Sequence, residues 1–248
     1  MAALSVVATI EARMASSRLP GKVMLPLAGQ AMLARLVERV RRSRVVDDIV
    51  VATTVSSPDV VIADLCERIG CRVHCGQVED VSQRLFDAAR GASVIVQLTG
   101  DCPLIDPGQI DETVRLLIDQ NADYASNSLD GPSFPVGLDV RAFTVAALRR
   151  SMELSSDPVD RVHGSYFIAR RADLFRLVGW RAPTDMHWPE LRLTVDEPAD
   201  YELVRRIFET FYPENPHFSA CDVITWLRAR PDWVLLNSAV RQKVPAEG

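Results

Sequence analysis

At 248 residues, with 48% hydrophobic, 25% charged and 6% aromatic side chains, the chain has the composition of an ordinary globular protein. The apolar fraction excludes intrinsic disorder, and no apolar run approaches the ~18–20 residues of a membrane-spanning helix. Acidic residues outnumber basic ones, 33 to 28, which argues against a nucleic-acid coat.

The first element is a buried strand over Leu4–Ile10 (LSVVATI). No basic segment precedes it, and Glu11 and Arg13 follow at once, so it does not read as a signal peptide. Five cysteines without framework spacing read as reduced thiols, and a cytoplasmic location is expected. A Gly/Pro/Ser loop from Glu11 to Gly29 leads to a helix with Met32, Leu33, Leu36, Val37 and Val40 along one face. Asp48–Thr53 is a second strand, and Pro58 opens a helix that Gly70 ends. Cys71–Cys75 is a short strand, Glu79–Arg90 a helix, Ser93–Leu98 a fully buried strand and Pro107–Gln120 a helix.

Between about 124 and 190 the pattern is less regular. Two short strands fall within Asp123–Phe143, helices over Thr144–Glu153 and Val159–Arg170, and a strand over Leu174–Trp180. Leu191–Val195 (LRLTV) reads as a further strand, Asp196-Glu197-Pro198 opens a helix, and a last helix runs over Cys221–Arg228. Strands alternating with amphipathic helices predict an α/β sheet covered on both faces. One domain over 1–240 is expected, with an insertion at about 124–190 and a frayed tail over 241–248.

Two features carry chemistry. The loop after the first strand holds Arg13, Ser16, Ser17, Arg18 and Lys22 close together. Loops at the carboxyl ends of α/β strands bind ligands, and converging cations with hydroxyl and amide donors suit a triphosphate. It is neither a Walker A loop nor a dinucleotide fingerprint; the alternative is a solvated basic loop. The second feature is a repeated pattern: Ser93–Leu98 runs into Asp101-Cys102-Pro103, and Leu191–Val195 into Asp196-Glu197-Pro198. Carboxylates from neighbouring strand ends would make a hard oxygen site suited to Mg²⁺ and nucleotide phosphates. The alternative is a pair of helix N-caps; the cationic loop favours the metal. Cys66, Cys71, His74 and Cys75 lack zinc-site spacing, and Cys71, Val73 and Cys75 alternate as the buried side of a strand would.

Ile10–Lys22 (IEARMASSRLPGK) resembles the opening of the cytidylyltransferases that activate sugar acids. Ser93–Pro107, Ser126-Asn127, Pro135–Val140 (PVGLDV) and Leu191–Asp200 resemble them too, in the same order. The nearest branch is that of spore coat polysaccharide biosynthesis protein F, and the enzymes for 3-deoxy-manno-octulosonate and acylneuraminate are more distant. The resemblance implies a Rossmann-like nucleotide-diphospho-sugar transferase fold: a mixed, mostly parallel sheet flanked by helices, often in a homodimer. It also implies CTP as co-substrate, Mg²⁺ as cofactor, and transfer of CMP to a small acidic sugar for surface polysaccharide.

On that resemblance Arg13, Arg18 and Lys22 hold the triphosphate, with Ala12 and Ser17 beside them, and Asp101 and Asp196 hold the metal. Lys22, Arg13, Asp101 and Asp196 form the catalytic set. Gln97 would face ribose or base, or be a strand amide bonded to backbone. Arg84 would line the nucleotide pocket, or form a helix-face salt bridge with Asp80. Asn127, Asp139 and His163 are candidates for the acceptor side; the first two could instead be turn formers, and a lone histidine is more often structural than catalytic. Three positions depart from the branch: Glu11 replaces Gln, Ala15 replaces Gly, and Val162 replaces the Glu of an Arg-Glu-His segment. A glycosyltransferase, which usually carries an Asp-x-Asp motif, and a nucleotide-binding protein without turnover are the competing readings.

Overall fold

A computed structural model describes residues 4–242. Nine strands occur among them: β1 (Val6–Glu11), β2 (Pro26–Leu27), β3 (Gln30–Ala31), β4 (Asp48–Thr54), β5 (Arg72–Gly76), β6 (Val94–Thr99), β7 (Tyr124–Ser126), β8 (Arg141–Thr144) and β9 (Leu177–Gly179). The helices are α1 (Met32–Val40), α2 (Val60–Arg68), α3 (Val81–Ala88), α4 (Pro107–Asp119), α5 (Val145–Leu154), α6 (Pro158–Val162), α7 (Tyr166–Ala169), α8 (Pro198–Phe211), α9 (Ala220–Arg228) and α10 (Pro231–Val234).

Seven strands form one sheet in the order β5-β4-β1-β6-β8-β7-β9, while β2 and β3 make a separate hairpin. β5, β4, β1 and β6 run parallel, β8 is antiparallel to β6 and β7, and β9 is parallel to β7. The sheet is thus mixed and mostly parallel. The irregular stretch around 124–190 extends this same sheet by three strands.

Burial on both faces explains the apolar strands. In β1, Val6, Ala8 and Ile10 pack with α1, α2 and α4, while Val7 packs on the opposite face with α3 and α5. A third cluster joins Leu27 and Met32 to Leu191, Leu193 and Val195 and to α8 and α9. From β1 the chain steps to β4 and β5 on one side, then crosses back to β6 on the other. That reversal leaves a crevice between the carboxyl ends of β1 and β6, where open α/β sheets bind ligands.

Four expectations change. Leu191–Val195 is extended but is no strand: only Val136 and Arg192 form a bridge, and the remaining backbone bonds go to neighbouring loops. The helix foreseen over Val159–Arg170 breaks at Gly164, whose φ of +62° turns the chain against Gln97. β5 is an edge strand, so Cys75 is exposed and Cys71 half-buried; only Cys66 of the three is buried. The tail begins with ordered contacts: the Arg241 carbonyl accepts a bond from Arg18 (3.4 Å), and the Gln242 amide oxygen one from Arg192. Residues 243–248 of that tail lie outside the described residues.

Candidate active site

The loop after β1 is held by its own backbone. The Ser16 and Gly21 amides both donate to the Met14 carbonyl (2.9 Å each), and the Met14 amide donates to Asp59 at the start of α2 (2.7 Å). The Gly100 amide donates to the Glu11 carbonyl (2.7 Å), which draws the loop after β6 against it. Between these loops lies a cavity of about 500 Å³. Its walls carry Ala12, Arg13, Ser17, Arg18 and Lys22 from the first loop, and Arg84 from α3. Gln97 and Asp101 line it from the β6 side, Asp139 and Arg141 from the β8 side, and His163 and Asp196 from later in the chain.

At its floor the Lys22 ammonium donates to Asp101 Oδ2 (2.7 Å) and Asp196 Oδ1 (2.8 Å). Asp196 Oδ2 also accepts from Arg18 (2.9 Å) and Arg192 (2.6 Å). Burial opposes the charged forms, but opposite charges at contact distance outweigh it. The Lys22 pKa is therefore raised and the Asp196 carboxyl lies below its usual range.

Neither aspartate is a helix cap. Asp106 caps α4, and Glu197 with Asp200 forms the capping box of α8. Asp196 reaches the cavity by another route. The Val195 amide donates to the Asp101 carbonyl (2.8 Å), and the Leu193 amide to that of Val136 (2.7 Å). Gly137, at φ +102°, allows this approach, because a Cβ there would lie 2.5 Å from the Thr194 nitrogen. Arg192 then ties Asp196 to the fully buried Asp200, whose Oδ1 accepts from Arg192 Nε (2.8 Å).

Among the described residues no group of three or more His, Cys, Asp or Glu is placed to hold a metal ion. Magnesium at nucleotide sites needs only one or two carboxylates, the rest of its shell being phosphate and water. Asp101 and Asp196 fit that demand, since their oxygens already converge on one cationic atom.

Away from the floor, the Gln97 side chain bonds to other side chains rather than to backbone. Its amide nitrogen donates to Glu11 Oε1 (2.6 Å), and its oxygen accepts from Ser165 (2.6 Å). Burial raises the Glu11 pKa, although the Gln97 bond opposes the shift. Arg84 does not form the helix-face ion pair with Asp80. It donates to the Gln77 (2.6 Å) and Val78 (3.4 Å) carbonyls, while Asp80 caps α3 and pairs with Arg161. Burial and neighbouring Asp101 push the Cys102 thiol up, which disfavours the thiolate that a nucleophile needs.

Asp139 and His163 do face the cavity. Asn127 does not. It is buried, donating to the Leu138 carbonyl (2.8 Å) and accepting from the Val140 amide (2.8 Å), so it shapes the loop from behind. Arg141, which lines the cavity, and Arg192, which holds Asp196, lie outside the residues the sequence points to. The available signal was an arginine heading or interrupting an otherwise apolar run, Arg141-Ala142-Phe143 and Leu191-Arg192-Leu193.

The chain resembles known proteins in both sequence and fold. A family model described as Cytidylyltransferase matches residues 7–177. Spore coat polysaccharide biosynthesis protein SpsF of Bacillus subtilis is 34% identical over 229 residues, covering 90% of this chain and 94% of that protein. The 3-deoxy-manno-octulosonate cytidylyltransferase of Geobacter sulfurreducens is 38% identical over 123 residues, 48% of each chain. A solved cytidylyltransferase from Leptospira borgpetersenii serovar Hardjo-bovis superposes with a TM-score of 0.88 at 28% identity, covering 97% of this chain and 99% of that one. With a family match over residues 7–177 and a relative 34% identical over 90% of its length, this chain belongs to the cytidylyltransferase family.

Proposed function

We propose that the protein transfers CMP from CTP to a sugar acid, with release of pyrophosphate, to supply surface polysaccharide synthesis. The observation that carries the reading is Lys22 held by Asp101 and Asp196 beside an arginine-bearing loop at the carboxyl ends of β1 and β6. Little covalent work falls to the protein in nucleotidyl transfer; it positions the reactants and balances charge on phosphate oxygens. Arg13, Arg18 and Lys22 grip the triphosphate, with Ser17 and the backbone at Ala12 alongside. Arg84 and Gln97 line the ribose and base end, and Asp139 and His163 the acceptor end. Asp101 and Asp196 would hold Mg²⁺, which when bound supplies neutralising charge at the phosphates. The names of SpsF and of the octulosonate enzyme support the polysaccharide setting and the acidic acceptor. A homodimer, a cytoplasmic location and a single domain over 1–240 complete the proposal.

The test is a pyrophosphate-release screen of four nucleoside triphosphates against several sugar acids, 3-deoxy-manno-octulosonate among them, with and without Mg²⁺. Release is expected with CTP, one acid and Mg²⁺ together. Asp101→Asn and Asp196→Asn should each lower turnover by about a thousandfold, the loss of ~4 kcal/mol of transition-state stabilisation. Full activity in either variant removes that residue's role. Release of a nucleoside diphosphate from a sugar nucleotide would favour a glycosyltransferase instead, and CTP binding without turnover a regulatory protein.

A further inference from the structure

The acceptor end of the cavity holds a cation that no part of the reading above uses. Among the four arginines lining the cavity, Arg18 pairs with Asp196, and Arg84 donates to the Gln77 and Val78 carbonyls. The side chains of Arg13 and Arg141 make no hydrogen bond or ion pair among the described residues, although the Arg141 backbone pairs within the sheet. Arg13 belongs to the phosphate loop and is exposed. Arg141 lies elsewhere, at the start of β8 and partly buried.

The strand register fixes its direction. Arg141 stands directly opposite Gln97 across the antiparallel β6–β8 pair, and opposed residues project from the same face. Gln97 lines the cavity, and so does Arg141. With strands ~4.8 Å apart, Arg141 sits two strands, or about 10 Å, across the sheet edge from β1 and its phosphate loop. Asp101 lies between them at the end of β6, so a nucleotide gripped by the loop presents its α-phosphate near Asp101. Whatever attacks that phosphate then lies toward β8.

Burial alone would weaken the charge on Arg141, but Tyr124, Asp139 and Glu11 nearby more than offset it, and its pKa is raised. An always-charged planar fork of donors with no acceptor of its own suits a carboxylate, which it grips through two parallel bonds. We propose that Arg141 is a specificity-determining residue that binds the carboxylate of the acceptor sugar acid. This rests on the sugar-acid reading of the function.

The test compares wild type, Arg141→Gln and Arg141→Lys in the pyrophosphate-release assay. Each acid of the screen is supplied in its free form and as its neutral C1 methyl ester. Arg141→Gln is expected to raise KM for the acid about 30-fold, equivalent to ~2 kcal/mol, while KM for CTP stays within about twofold. Arg141→Lys keeps the charge without the fork and should recover part of the loss; it also serves as the informative variant should the glutamine protein fold poorly. The preference of wild type for acid over ester should collapse toward unity in Arg141→Gln. An unchanged KM for the acid, an unchanged acid-to-ester preference, or an equal rise in KM for CTP overturns the assignment. Wild type that releases no pyrophosphate with any acid instead overturns the sugar-acid reading, and the assignment falls with it.

Discussion

Lys22→Met tests the electrostatic centre of the site without adding a new polar group. Its ammonium lies 2.7 and 2.8 Å from two carboxylate oxygens. At an effective dielectric of ~20 each contact is worth about 6 kcal/mol of attraction before desolvation. Most of that is cancelled by the burial of three charges, and removing one partner of a buried pair typically costs ~3–5 kcal/mol. Asp101 keeps 24% of its side chain exposed. Water therefore screens it in part, and the lower figure of ~3 kcal/mol is expected. Urea unfolding at pH 7.5 should show this as a midpoint lowered by about 1 M for an m-value near 3 kcal/mol/M. The same variant leaves Asp101 Oδ2 and Asp196 Oδ1 without their cation and open to a divalent ion, while Asp196 Oδ2 stays paired with Arg18 and Arg192. At ~100 times its dissociation constant, such an ion restores about 2.7 kcal/mol. Adding Mg²⁺ without nucleotide should therefore stabilise Lys22→Met markedly and wild type little, because in wild type the ion must displace the ammonium. Equal stabilisation of the two proteins, or a variant within ~1 kcal/mol of wild type without Mg²⁺, would refute this account.

Gly137→Ala should cost about 3 kcal/mol or more in urea unfolding and lower turnover, because its Cβ collides with the backbone that presents Asp196. Glu11→Gln bears on pH: a carboxyl whose folded pKa is raised loses stability as pH climbs from its unfolded value through its folded one. Thermal melting should therefore show the variant gaining on wild type at pH 8, with the difference vanishing near pH 4. Asp196 has the opposite sign, its folded pKa lying below the ordinary 3.8, so its contribution is present above that value and disappears as pH falls through the folded one. Asp196→Asn should flatten the acid limb of a stability-versus-pH curve below about pH 4, and an unchanged slope would contradict the depressed pKa.

Much of the fold was legible in the chain because each strand and helix carries its own periodicity. β1, β4 and β6 are apolar on both faces, and α1 and α2 repeat apolar residues every three or four positions. Elsewhere, position in the sheet overrules local pattern. Cys71, Val73 and Cys75 alternate like a buried face, yet β5 is an edge strand and Cys75 is exposed. Leu191–Val195 has the composition of a strand, but its backbone bonds go to Val136 and Asp101 and complete no ladder.

The sequence by itself determined the layered α/β architecture and the chemistry of the loop from Arg13 to Lys22, because strand and helix periodicity and charge type are local properties. The tertiary structure alone decided what those charges meet. Lys22, Asp101 and Asp196 are separated by 79 to 174 positions, and only the crossing back from β5 to β6, with the close approach at Gly137, brings them to one point. Likewise Asn127 turns inward to backbone while Arg141 faces the cavity, since the direction of each side chain follows from strand register, which depends on partners far away in the chain.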